Sequence, residues 1–253
     1  MVDHACVCHY ATLEELHRLQ TPGGEHRWLT PREQLVYAQL RAGARRATWL
    51  AGRMLAKRLV ADYVVANRLD FPTVERGRVE IDSGESGQRR LAPRIRIAGQ
   101  VLPWSLSISH TQRGVLVALT STPTLRVGVD LVEPVVFGNG FTDLWFTPAE
   151  RHWLRHRGEP HGASLLWAAK EAVYKAINRG ERFYPRQIEI LPDATHGLQC
   201  TSHVPLTLRM AKTRQGEVAV VAIKGSRFGV QDFASESMDT LTAQYPPRLN
   251  PEP

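Results

Sequence analysis

The sequence predicts an α+β (α/β) fold made of two similar subdomains. Each is expected to be a mainly antiparallel sheet of three or more strands packed on a long helix, the two related by pseudo-twofold symmetry. Three observations predict it. The chain has 253 residues, enough for one large domain or two of about 120. Its hydropathy pattern runs strand, helices, three strands, and then repeats that order. The break between the repeats falls at Ser121-Thr122-Pro123. We therefore expect an N-terminal subdomain over 1–122, a C-terminal subdomain over 123–227 and a loosely held tail over 228–253, where Pro is frequent and aliphatic residues thin out.

The first strand is expected over 5–11, in Ala-Cys-Val-Cys-His-Tyr-Ala. A helical stretch follows: Pro31 after Thr30 is a start signal, and Leu50, Met54, Leu55, Leu59 and Val60 recur at helical spacing through about residue 69. Strands are predicted at 78–82, at 105–109 with alternating Leu106 and Ile108, and at 114–120. The second half opens on a strand at 125–132, continues with helices near 148–156 and 163–178, and closes with strands near 187–191, 205–211 and 217–223.

Composition narrows the function classes. A hydrophobic fraction of 43% with 23% charged residues describes a folded chain, which excludes disordered and fibrous classes. No apolar run approaches the ~20 residues of a membrane span and no basic-then-apolar leader opens the chain, so the expectation is a cytoplasmic protein without membrane contact. Three cysteines do not make a disulfide framework, in keeping with a reducing compartment. The formal charge of +7 is uneven. Residues 1–122 hold 17 basic and 11 acidic groups, so the first half is suited to meet anions: nucleic acid, nucleotide phosphates or an acidic protein.

Two short segments carry the chemistry. Gly128-Val-Asp130-Leu-Val-Glu-Pro places Asp130 near the end of an apolar strand, where a charge is costly unless it pairs or coordinates. Trp167-Ala-Ala-Lys170-Glu171-Ala-Val-Tyr-Lys175 places Trp167, Glu171 and Lys175 four apart, on a stripe separate from Leu166, Ala169, Val173 and Ile177. Lysine is scarce, five residues against 27 arginines, yet two of the five flank Glu171. A compact ammonium approaches phosphate as a point charge or gives up a proton, which a guanidinium does not. Two carboxylates among basic groups suit magnesium, which takes hard oxygen ligands and keeps several waters. Ser109 and His110 end a strand where they could meet a phosphate, Arg45, Arg46 and Arg53 cluster at a helix start, and Arg89 and Arg90 lie in a Gly/Ser-rich loop.

On these residues the chain resembles the 4′-phosphopantetheinyl transferases, in particular the larger, pseudo-dimeric Sfp type. The family's Gly-x-Asp segment is matched by Gly128-Val-Asp130, its Trp-x-x-Lys-Glu-x-x-x-Lys by residues 167–175, and its Ser-x-Ser-His element by Ser107-Ile-Ser109-His110; Leu50-Ala-Gly-Arg53 is similar to its first helix. The resemblance implies that the phosphopantetheine arm of coenzyme A passes to a serine of an apo carrier protein, releasing adenosine 3′,5′-bisphosphate. It implies Asp130 and Glu171 as magnesium ligands, Glu171 as the base for the serine, and Lys175 at the leaving phosphate with Lys170 in support. His110, Ser109 and the first-half arginines Arg45, Arg46, Arg53, Arg89 and Arg90 would hold the coenzyme A phosphates. It also implies that the region from Phe141 through Phe146 to Trp153 receives an acidic, helical carrier protein.

One position departs from the pattern. Many Sfp-type members carry an acid two residues after the Asp, where this chain has Val132; Glu133 comes one later, and strand alternation turns it to the opposite face. Two protein ligands with water in the third place are therefore expected. The family's Gly-Lys-Pro loop is not evident, Arg89 or Arg90 before Pro93 being nearest to it. The alternative reading, a basic nucleic-acid-binding protein or metal-dependent phosphodiesterase, lacks any zinc-finger spacing or basic-aromatic interleaving. A zinc site from Cys6, Cys8 and His9 with Cys200 or His203 is disfavoured because neighbouring strand residues splay to opposite faces. Two fused halves make a monomer the expected state.

Overall fold

Helix starts are set by local chemistry at three places. Thr12 and Thr30 each accept the backbone N–H three residues on while Glu15 and Glu33 reach back, closing capping boxes at the heads of α1 (Leu13–Arg18) and α3 (Pro31–Gln39). The short α2 (Glu25–Trp28) lies between them. The sequence predicts one helical stretch from Pro31 to about 69; it is broken instead. Leu40 turns extended, and Gly43, at φ +102, restarts the chain as α4 (Ala44–Ala66). That left-handed conformation is cheap only for glycine.

The computed structural model describes residues 6–20, 24–40, 43–69, 71, 78–82, 85–86, 89–90, 92–157, 161–178, 180–192, 197–201 and 205–225. The tail expected over 228–253 lies outside the described residues. The strands of the first half are β1 (Val7–Thr12), β2 (Val79–Asp82), β3 (Glu85–Ser86), β4 (Arg89–Arg90), β5 (Arg94–Ile97), β6 (Gln100–Val101), β7 (Ser105–His110) and β8 (Gly114–Thr120). The second half contains β9 (Arg126–Val132), α5 (Asn139–Trp145), α6 (Pro148–Arg157), α7 (Gly162–Ile177), a 3₁₀ turn (Pro185–Gln187), β10 (Ile190–Pro192), β11 (Leu198–Cys200), β12 (Leu206–Lys212) and β13 (Val218–Lys224). The apolar segment around Phe141 and Trp145 forms the helix α5, and the strand expected near 187–191 begins only after the 3₁₀ turn that Pro185 opens.

The fold is thus α+β with antiparallel sheets. In the first half the sheet order is β1-β8-β7; in the second, β9-β13-β12. In both, the opening strand pairs with the last, which pairs with the one before it. The long helix of each half covers the outer face of its sheet. Leu55, Leu59 and Val60 of α4 pack with Leu106, Val115, Val117 and Leu119, and Ala169, Ala172, Val173 and Ala176 of α7 pack with Val220 and Ala222. The inner faces meet each other through Cys8, Tyr10, Leu116, Ala118, Val127, Val129, Leu131, Ala219 and Val221. Four layers result: helix, sheet, sheet, helix.

The two halves also repeat a buried ionic clamp. In the first, Glu33 caps α3, pairs with the fully buried Lys57 of α4 and accepts from the Ile81 N–H of β2. In the second, Glu150 caps α6 against Thr147, pairs with the fully buried Lys170 of α7 at 2.8 Å and accepts from the Ile190 N–H of β10 at 2.8 Å. Thr-Pro-x-Glu at 30–33 and 147–150 is the sequence trace of this repeat. Among the described residues no helix is long and apolar enough to cross a membrane.

Candidate active site

The site lies where the two sheets join edge to edge. Along β7, Leu106 and Ile108 face α4, so alternation turns Ser105, Ser107 and Ser109 toward β9. Their hydroxyls accept the N–H groups of Val127, Val129 and Leu131 at 3.1, 3.0 and 3.1 Å. Three side chains thus satisfy an edge of β9 that its partner β13 leaves open.

On β9, Val127, Val129 and Leu131 fill the inter-sheet core, which turns Gly128 and Asp130 toward α7. A Cβ at Gly128 would lie 2.0 Å from the Ala172 carbonyl oxygen and 2.5 Å from the Ala176 nitrogen. Only glycine lets strand and helix approach this closely. Asp130, two residues on, then meets Lys175: its Oδ1 accepts from Nζ at 2.6 Å and from the Ser109 hydroxyl at 2.8 Å. Lys175 also donates to the Val129 carbonyl at 3.0 Å and lies 3.6 Å from Glu171. Both carboxylates, one from each element, share one ammonium.

The cavity here is about 350 Å³, lined by Ile108, Ser109 and His110 of β7, Asp130, Leu131 and Val132 of β9, and Trp167, Glu171 and Lys175 of α7. Trp167 is wedged between Phe141, Trp145 and Phe183, with ring centroids 5.0, 6.2 and 5.7 Å away, and its indole N–H donates to Glu171. Burial, then the charge of Asp130, raises the Glu171 pKa above its ordinary 4.5, against the pull of Lys175 and Trp167. Burial pulls Lys175 down, but Asp130 and Glu171 more than offset it, and its pKa ends above 10.5. Lys175 stays charged at neutral pH.

Of the residues expected in the site, Asp130, Glu171, Lys175, Ser109 and His110 come together in this cavity. Lys170 does not. Its position falls on the apolar stripe of α7, four after Leu166, and its ammonium is fully buried on Glu150 and the Pro185 and Ile188 carbonyls, so it cannot support a coenzyme A phosphate. Arg53 is likewise corrected: it is buried, with its guanidinium 4.7 Å from the centre of the Trp49 ring and 4.0 Å from Glu33. The Ser109 hydroxyl gives its one proton to Asp130 rather than to a ligand. Arg45 is exposed at the head of α4 and Arg46 stacks on Tyr37 at 4.0 Å; neither lines the cavity. The backbones of Arg89 and Arg90 form β4, but their side chains lie outside the described residues. Glu133 turns away from Asp130, as alternation predicts, and pairs with Arg113 at 3.6 Å.

Sequence reasoning missed three groups: Trp167 as donor to Glu171, Ser109 as partner of Asp130, and the Glu150–Lys170 clamp. The repeated Thr-Pro-x-Glu was the available signal for the last. Among the described residues no group of three or more His, Cys, Asp or Glu could hold a metal. Cys6 and Cys8 lie 3.9 Å apart at the inter-sheet core, Cys200 packs in the second-half core, and His203 lies outside the described residues.

Fold and site define a class: an α+β protein whose halves meet at a cleft bearing a carboxylate pair and a shared lysine. Residues 126–223, the segment that holds Asp130, Glu171 and Lys175, match the model of the 4′-phosphopantetheinyl transferase superfamily. Solved structures similar to the chain include a holo-(acyl-carrier-protein) synthase from Bacillus anthracis in complex with CoA (3′,5′-ADP), at 22% identity over 46% of this chain and 92% of that one, TM-score 0.35. The Chronobacterium ammoniagenes ACPS-CoA complex is 22% identical over 41% and 98% of the two chains, TM-score 0.32, and the Mycobacterium tuberculosis acyl carrier protein synthase 26% over 40% and 96%, TM-score 0.31. Comparison with curated proteins returned no match.

Proposed function

We propose that the chain is a 4′-phosphopantetheinyl transferase of the Sfp type, its two halves related by a pseudo-twofold axis and together supplying one site in a monomer. The observation that carries this reading is the convergence of Asp130 from β9 and Glu171 from α7 on Lys175, in a cavity that also takes in His110.

The donor set fits magnesium. Two hard carboxylates face one cavity; burial, and then the charge of Asp130, raise the Glu171 pKa, and a bound cation would offset both. Two protein oxygens suffice for an ion that completes its shell with waters and phosphate. Bound there, it neutralises charge on the coenzyme A pyrophosphate. The chain's own groups do the rest. Glu171, its raised proton affinity suited to a base and its carboxylate oriented by Trp167, takes the proton of the carrier serine. The serine oxygen bonds to the pantetheine-side phosphorus as the pyrophosphate P–O bond breaks, and adenosine 3′,5′-bisphosphate leaves with the bond's electrons. Lys175 stands by to stabilise the leaving phosphate.

His110, Arg45 and Arg46, with Arg89 and Arg90, supply the positive charge for the remaining coenzyme A phosphates. The carrier docks beside α5 and α6. There a cavity of about 370 Å³ is lined by Val136, Phe137, Leu154, Arg155 and the Asp143–Arg151 pair, so apolar anchors adjoin Arg155, a cation suited to an acidic helix.

The test is intact mass spectrometry of apo carrier proteins incubated with the chain, coenzyme A and magnesium. A phosphopantetheine adduct on one serine is expected, abolished by Glu171→Gln and reduced by at least about 100-fold by Asp130→Ala. Carriers from fatty-acid, polyketide and nonribosomal peptide synthesis that all stay unmodified would overturn the reading.

A further inference from the structure

We propose that Ser109 is a positioning residue, through which the first half of the chain sets the rotamer of the second half's metal-binding aspartate. The inference rests on the transferase reading above. Ser109 differs from its neighbours in the ladder by two bonds. All three serines accept a β9 N–H, but the Ser109 hydroxyl also donates to Asp130 Oδ1, at 2.8 Å, and accepts from Lys175 Nζ at 3.5 Å. Its proton and both lone pairs are committed, and at 7% exposure it is shielded from competing water.

The geometry says what this does. Asp130 Oδ1 is held from two sides, by Ser109 and by Lys175, so the hydroxyl and the ammonium together fix the carboxylate plane. A cation approaching Asp130 and Glu171 competes with Lys175 for the same oxygens. When the ammonium yields to it, Ser109 is the neutral partner that keeps Asp130 aimed. Because β7 and β9 belong to different sheets, the hydroxyl couples Asp130's orientation to the seating of the two halves.

Ser107 is the built-in control. It makes the same ladder bond, to the Val129 N–H at 3.0 Å, and is equally buried, without a carboxylate partner. Ser109→Ala and Ser107→Ala should therefore both lower the melting temperature, Ser109→Ala the more because it also loses the bond to Asp130. Only Ser109→Ala should weaken Mg2+ binding measured calorimetrically with coenzyme A present, by roughly 10- to 100-fold, and raise the Mg2+ concentration for half-maximal transfer to match. Ser109→Thr, which keeps the hydroxyl, should restore both. Ser109→Cys, near-isosteric and a poor donor, reports the same loss if the alanine variant does not fold. Equal Mg2+ affinity in the Ser109 and Ser107 variants, with a wild-type chain that binds Mg2+ and transfers, overturns the inference alone. A wild-type chain that does neither overturns the transferase reading and the inference with it.

Discussion

Gly128 decides how closely β9 approaches α7, and hence whether Asp130 can reach Lys175 at all. A methyl there would sit 2.0 Å from a backbone oxygen, which no side-chain rotation relieves. Gly128→Ala should cost at least about 1–3 kcal/mol of stability and push the helix outward. We expect a lower melting temperature together with a loss of transfer larger than any change in the KM for coenzyme A; a variant with wild-type kcat would show the approach to be dispensable. Gly128 with Asp130, and Glu171 with Lys175, are legible in the sequence because strand and helix spacing put each pair on one face of its own element. The bond from Ser109 to Asp130 is not, because its partner is 21 residues away on another strand.

At the scale of elements, α7 presents two faces, and the sequence shows where each runs but not the counter-ion that lets a lysine lie on the buried one. Lys175 belongs to the stripe that faces the cavity; Lys170 falls between Leu166 and Val173 on the buried one. A buried lysine reads as surface or site until its counter-ion is known, and Glu150 lies on α6. Removing one partner of a fully buried pair leaves the other uncompensated, so Lys170→Gln should cost about 3–5 kcal/mol while leaving the KM for coenzyme A in the folded fraction unchanged. An unchanged melting temperature with a raised KM would return Lys170 to the phosphate site. The break between α3 and α4 was similarly hidden: the chain leaves the helix at Leu40, which turns extended, and re-enters it from the positive φ of Gly43.

For the whole molecule, the element order was legible and the junction of the halves was not. The repeat is visible as a rhythm of strands and helices, whereas the serine ladder joins strands of different sheets and the buried Glu217 depends on contacts across more than a hundred positions of sequence. Glu217, ahead of β13, accepts from Tyr10 of β1 at 2.7 Å and from Thr111 after β7, tying the halves at a second place. Burial first, and then this bond, raise the Tyr10 pKa above its ordinary 10. A raised pKa means that the folded chain holds the phenol proton more tightly than the unfolded one does. The resulting stability is fully present below pH 10 and is lost as pH rises beyond it. Tyr10→Phe should cost about 1.5–3 kcal/mol at neutral pH and flatten the fall in melting temperature between pH 9 and pH 11; a fall as steep as wild type would assign the alkaline loss to other groups. The central claim is that acids from two separate elements jointly hold one divalent cation against the coenzyme A diphosphate. Electron paramagnetic resonance of Mn2+ with coenzyme A tests it most directly. Wild type should bind the ion with hyperfine coupling to the diphosphate phosphorus, and Asp130→Ala and Glu171→Gln should each abolish that signal. A coupled Mn2+ signal that persists unchanged in both variants would contradict the account.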